Sequence, residues 1–275
     1  SLPRPDELLA VFRARQSGAR NADELARVSS AAVREAVDKQ VACGIDVVSD
    51  GEMSKISYVG YVAERLNGMS AQDGGNSSDP ASRISPVVPT AITFPDIVEH
   101  PDYAAYRASQ GGGLGPVPVC TGPISYGDRA PLERDIACLT DAARSFGARA
   151  MFMNAASPGV IAMFIPSTHY RGDDAYIMDL AAAMRTEYEA IHRAGILLQI
   201  DCPDLAMSWH MRHASLTPAQ FRKIAHRNIE AVNCATANIP PTAMRLHICW
   251  GNYHGPHTHD LPVAELFEVI RRSRP

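Results

Sequence analysis

The stretch Asn21–Ser49 reads NADELARVSSAAVREAVDKQVACGIDVVS. It contains a complete helix–Gly–strand unit. Asn21 is a helix cap with Glu24 three residues on, the spacing of a capping box. Leu25, Val28, Ala32 and Ala36 then recur at helical spacing. Gly44 stops the helix, and Ile45–Ser49 is a short strand. The same order returns further along. A helix from about Pro131 ends near Gly147, with Arg149–Met153 as its strand. Another runs from about Asp173 to Gly195, with Ile196–Ile200 behind it. Thr217-Pro218 opens a further helix with an N-cap and a proline at the first helical position. That helix ends at Asn238-Ile239-Pro240-Pro241, and Met244–Cys249 is its strand. Val117–Cys120 is a separate strand, and a last helix runs from Val263 to about Arg272.

Strands that alternate with helices predict parallel βαβ units. The two architectures built that way are a doubly wound open sheet and a (β/α)8 TIM barrel. No Gly-x-Gly-x-x-Gly follows any strand and no Walker-type Gly-Lys-Ser/Thr is present, which removes the support for a dinucleotide or P-loop sheet. Gly111-Gly112-Gly113 precedes a strand and reads as a flexible connector. Residues 67–90 are rich in Gly, Ser and Asp and read as a mobile surface loop, not a domain boundary, so 1–275 is taken as one domain.

A chain of 275 residues suits a barrel, which typically needs roughly 250. With 46% hydrophobic and 20% charged residues it can build an ordered core. The net charge of -4 argues against a nucleic-acid surface or an anionic-membrane binder. No apolar run approaches the roughly 20 residues of a membrane helix. Six scattered cysteines without a CxxC fit a reduced, cytoplasmic chain, and no charged-then-apolar leader follows Ser1.

In parallel α/β proteins, ligands bind at the carboxyl ends of the strands. Those ends carry Asp50-Gly51-Glu52, Thr121-Gly122-Pro123, Asn154, Asp201-Cys202-Pro203-Asp204 and His247-Ile248-Cys249. Residues i and i+2 of a strand share a face, so His247 and Cys249 are expected to converge. An imidazole beside a thiol suits zinc better than magnesium or calcium. The loop that follows holds aromatics, Gly, Pro and His254, His257 and His259. His257-x-His259 is read as loop packing, and His210 and His213 as surface or packing residues.

Four segments carry a family resemblance: Ser1-Leu2-Pro3-Arg4-Pro5, Asp50-Gly51-Glu52, Leu198–Met207 (LQIDCPDLAM) and Leu246–Tyr253 (LHICWGNY). They resemble the cobalamin-independent methionine synthase family, and more narrowly its single-barrel members, which include the epoxyalkane:coenzyme M transferases. The resemblance implies a zinc-dependent (β/α)8 enzyme that transfers a methyl or alkyl group to a thiol. His247 and Cys249 would be zinc ligands, joined by others from later strands. Ser1, Glu52 and Asp201 would hold the amino-acid part of homocysteine. The donor is left open between a folate, a methyl-corrinoid protein, an S-methyl compound and an epoxide. The family's first strand and last two βα units find no counterpart here, so an incomplete barrel is expected, compatible with a homo-oligomer. Two alternatives stand beside this reading: a metal-dependent hydrolase using His257 and His259, and an inactive barrel fragment.

Overall fold

A computed structural model describes residues 2–18, 21–55, 57–71, 94–103, 118–251 and 256–275. The chain opens with helices α1 (Asp6–Gln16) and α2 (Ala22–Ala42), strand β1 (Val47–Ser49), helix α3 (Tyr58–Ala63) and strand β2 (Leu66–Ala71). Helix α4 (Pro95–Glu99) and strand β3 (Pro118–Tyr126) follow. Next come α5 (Ala130–Phe146), β4 (Ala150–Ala156), α6 (Pro158–Phe164), α7 (Asp173–Arg193) and β5 (Leu197–Asp201). The chain continues through α8 (Met207–Arg212), α9 (Pro218–Ala235) and β6 (Met244–His247) to a final short helix, α10 (Phe267–Ile270).

The helix–Gly–strand units form as their sequence dictates. Helix α7 has Asp173 and Asp174 in its first turn and His192 and Arg193 in its last, each complementing the helix dipole. Its apolar face buries Tyr176, Ile177, Leu180, Met184, Tyr188 and Ile191. Helix α5 ends at Gly147, whose φ of 70° lets the chain turn left-handed into β4. Helix α9 starts with a full capping box, in which the Thr217 hydroxyl accepts from the Gln220 amide and the Gln220 side chain accepts from the Thr217 amide. Helix α2 begins where expected but without that box. The Asn21 amide group donates to the Val11 carbonyl instead, tying α2 to α1.

Strands β1, β4, β5 and β6 form one parallel sheet in the order β1-β4-β5-β6. Its register pairs Ser49 with Phe152, Asn154 with Gln199, and Asp201 with His247. Strand parity then sorts the side chains. Val48, Met153, Ala155, Leu198 and Ile200 are almost fully buried in the main core, against the layer that includes α2, α5 and α7. The opposite face carries Phe152, Asn154, Gln199, Asp201, Arg245 and His247. We call this second face luminal, because in a barrel it would point inward.

The architecture departs from the expected one in several places. Among the described residues the parallel sheet has four strands, and β1 and β6 do not meet to close a barrel. The segment read as the strand Val117–Cys120 belongs to the longer β3, which pairs antiparallel with β2 in a separate two-stranded sheet. Thr121-Gly122-Pro123 therefore lies inside an antiparallel strand pair, not at a strand end of the parallel sheet. A register shift at Gly68 (φ 84°) accommodates it, since a Cβ there would approach the Pro123 carbonyl oxygen to 2.5 Å. The stretch read as a loop from 67 to 90 begins with β2, and residues 72–93 lie outside the described residues, as do Gly111–Gly113. Strand β6 stops at His247, before Cys249. The final helix splits into a 3-10 turn, Val263–Leu266, and the short α10. No described helix is long and apolar enough to cross a membrane.

Candidate active site

The N-terminal segment is laid across the turn after β1. The Leu2 amide donates to the Gly51 carbonyl at 3.1 Å, and Arg4 Nη2 donates to the carbonyls of Lys55 at 2.6 Å and Glu52 at 3.3 Å. Ser1, expected at the site, lies outside the described residues. Within the turn, Asp50 Oδ1 accepts from the Glu52 amide at 3.0 Å. Gly51 and Glu52 then take φ values of 64° and 61°. Glu52 is the one described non-glycine residue in that region. Such a conformation costs on the order of 1 kcal/mol, and here it turns the carboxylate toward the luminal face.

That carboxylate meets Asp201 through Asn154. Lys55, almost fully buried, donates from Nζ to the Asn154 carbonyl at 2.6 Å and to its Oδ1 at 2.8 Å. An ammonium can only donate, so this contact fixes which end of the Asn154 amide is oxygen. The nitrogen end faces the other way and donates to Glu52 Oε1 at 2.6 Å and Asp201 Oδ2 at 2.9 Å. Two carboxylates from distant strand ends thus converge on one amide nitrogen. Asp201 Oδ1 accepts further from Gln199 Nε2 at 2.7 Å.

His247 sits beside Asp201 in the sheet register, is exposed, and accepts from the Cys202 amide through its carbonyl. Cys249 is half-buried two residues beyond the strand. Burial raises its thiol pKa, and the field of Asp201 raises it further against a hydrogen bond with the Gly251 backbone.

The other predicted candidates part company. Asp204, three residues after Asp201, points away into a sealed cluster. Its Oδ1 accepts from the Ser157 hydroxyl at 2.7 Å and its Oδ2 from Asn228 Nδ2 at 2.8 Å. Gly159 closes this pocket, since a Cβ there would stand 2.1 Å from Asp204 Oδ2. Burial raises the Asp204 pKa. His257 and His259 diverge. His257 Nδ1 lies 2.7 Å from Asp260 Oδ2, whereas the His259 ring lies against Phe94 and its carbonyl accepts from Trp209 Nε1 at 3.0 Å. His210 Nδ1 is 3.2 Å from Asp260 Oδ1, so Asp260 bridges α8 to the later loop. His213 packs near Phe221. His254 lies outside the described residues.

The donor chemistry of His247 and Cys249 suits zinc. Among the described residues no group of three or more His, Cys, Asp and Glu is arranged to hold a metal ion. Sequence reasoning placed Glu52 and Asp201, and the structure brings them together. It missed Lys55, Gln199 and Arg245, and gave Asn154 no role. A signal for three of them was present: Asn154, Gln199 and Arg245 are polar residues alternating with apolar ones in strands flanked by helices. A strand buried on both faces reads instead as a continuous apolar run.

Comparison with known proteins adds three findings. Residues 1–137 match the family model described as the catalytic domain of cobalamin-independent synthase. A methionine synthase from Saccharolobus solfataricus is 23% identical over 271 residues, covering 97% of this chain and 66% of that protein. Among solved structures, a protein from Listeria monocytogenes assigned as a vitamin-B12-independent methionine synthase superposes with a TM-score of 0.62, at 21% identity over 97% of this chain and 66% of that one. A B12-independent methionine synthase from Shewanella sp. W3-18-1, solved with selenomethionine, gives 0.56 at 19% identity over 83% of this chain and 53% of that one. The chain thus spans less than two thirds of the length of these relatives. The family model and the curated relative point to the cobalamin-independent synthase family, and the two solved structures show a shared fold.

Proposed function

We propose, taking the chain as a member of the cobalamin-independent synthase family, that its luminal face is the acceptor site of a methyl or alkyl transfer to a small thiol, with homocysteine as the model acceptor. The observation that carries this reading is the convergence of Glu52 and Asp201 on Asn154, with Asp201 in register with His247. Two carboxylates gathered on one nitrogen repel each other, and a substrate ammonium between them relieves that repulsion through charge-assisted hydrogen bonds. Asn154 sets their spacing and Lys55 holds Asn154, so the cradle is formed before substrate arrives. Ser1 would complete the grip on the amino-acid end. The bound thiol then lies toward His247 and Cys249.

A free thiol titrates at about 8.5 and is mostly protonated at neutral pH. Zinc held by His247 and Cys249 would supply the Lewis acid that keeps the acceptor ionised as a nucleophile. The chain's own residues orient the acceptor by its ammonium so that its sulfur faces the incoming alkyl carbon. The donor, a methylfolate in the first instance, is not specified by these residues. Zinc-edge X-ray absorption with and without homocysteine tests the reading. Stoichiometric zinc and an added sulfur neighbour on thiol addition are expected, both lost in His247→Ala and Cys249→Ala. An unchanged sulfur shell would refute it.

A further inference from the structure

Arg245 is a cation that the proposed reaction does not use. It lies on β6 two residues before His247, and strand parity puts it on the same luminal face. Its guanidinium carbon sits 3.6 Å from the Phe152 ring centroid, and its Nε donates to Gln199 Oε1 at 2.7 Å. Gln199 is locked in that orientation because its other end donates to Asp201. One short chain of contacts thus runs from Asp201 through Gln199 to Arg245. The guanidinium is exposed, and among the described residues its two terminal amino groups meet no carboxylate.

We propose that Arg245 anchors the anionic group of the thiol acceptor, making this face selective for a small zwitterionic thiol. The claim rests on the reading of the face as a thiol-alkylation site and names its substrate class. A guanidinium is planar and always charged, and its fork matches a carboxylate or sulfonate with two parallel hydrogen bonds. Stacking on Phe152 and the bond to Gln199 fix its plane in advance, so little side-chain freedom is lost on binding. The face is then bipolar, with Glu52 and Asp201 toward one end and Arg245 toward the other. A thiol with only an ammonium leaves Arg245 unmatched, and one with only an anion faces two carboxylates.

Calorimetric titration of the whole chain, wild type and Arg245→Gln, tests this with homocysteine, 3-aminopropanethiol (no carboxylate), 2-mercaptoethanesulfonate (no ammonium), 5-methyltetrahydrofolate and thiol-free 2-aminobutyrate. Arg245→Gln should weaken homocysteine by about tenfold and leave 3-aminopropanethiol within about twofold. Arg245→Lys, which keeps the charge without the fork, should fall between. Unchanged homocysteine binding, or an equal loss for both amino-thiols, overturns the proposal. So does a loss confined to 2-mercaptoethanesulfonate, or to the folate, whose carboxylates would then be the true occupant. If the wild type binds no thiol, the thiol reading fails, and 2-aminobutyrate decides the role of Arg245 by itself. A tenfold loss in Arg245→Gln upholds the anchor and an unchanged affinity removes it.

Discussion

Asp201 and Asp204 stand three residues apart, are both almost fully buried, and both accept from an asparagine amide. They do opposite work. Asp204 has turned behind the sheet end through Pro203, where the Ser157 hydroxyl and Asn228 amide donate to it and Gly159 seals it in. Asp201 stays on the luminal face and shares its amide donor with a second carboxylate, Glu52. A carboxylate given its own neutral donors is a structural tie. One made to share a donor with a like charge is poised for a cation. Burial alone does not tell the two apart; the partners of their donors do.

The sharpest way to break this contrast is to remove each group in turn. Asp204→Ala should cost about 3 kcal/mol or more, because the Ser157 hydroxyl and the Asn228 amide are both left buried without their acceptor. Asp201→Asn should change stability by under about 1 kcal/mol while weakening homocysteine by about tenfold or more, since it removes repulsion along with a ligand charge. Urea unfolding and calorimetric titration of both variants provide the check. Equal unfolding costs would erase the distinction between tie and cradle.

Lys55→Met sharpens the comparison, because Lys55 belongs to both categories. It is buried like a structural tie, yet both hydrogen bonds that its ammonium makes among the described residues go to Asn154, with the Tyr61 ring centroid 5.1 Å away. Losing it leaves Asn154 Oδ1 without its donor and frees the amide to rotate away from the carboxylates. A destabilisation of about 2 kcal/mol is expected, together with a loss of homocysteine affinity smaller than that of Asp201→Asn. A variant that loses stability but binds homocysteine as wild type would show that Asn154 spaces the carboxylates unaided.

The helical layer and parallel sheet were legible because each unit is local. The spacing of Leu25, Val28, Ala32 and Ala36, and the stops at Gly44, Gly147 and Gly195, lie within one helix and its turn. The antiparallel β2–β3 pair was not, because its pairing joins residues on both sides of a Gly/Ser/Asp-rich stretch that has no strand pattern. Glu52 and Asp201 were found through family motifs, whereas the Asn154 bridge depends on a register between strands far apart in sequence. Asp204 was listed with Asp201 at the strand end but given no role, and its turn away from the sheet face was not legible, since strand parity ends with β5 and no longer governs where Asp204 points.

The smallest expected effect concerns acid, and there the two sides of the comparison carry opposite signs. Asp204 has its pKa raised by burial from the usual 3.8, so the native state holds that proton more tightly than the unfolded chain. Its contribution favours the fold as pH falls toward 3.8 and is lost as pH rises through the raised value. His210 and His213 have theirs lowered from 6.5, chiefly by burial; Asp260 opposes this at His210, and Arg212 and Arg227 reinforce it at His213. The unfolded chain takes up those protons first, so stability is full above about 6.5 and declines as pH falls toward the lowered values. Loss of stability just below pH 6.5 should therefore come from His210 and His213 and not from the buried carboxylate. His210→Gln should flatten the fall in unfolding free energy between pH 7 and pH 5.5, read by urea unfolding at each pH. Identical slopes for variant and wild type would show that the burial of His210 has no part in acid sensitivity.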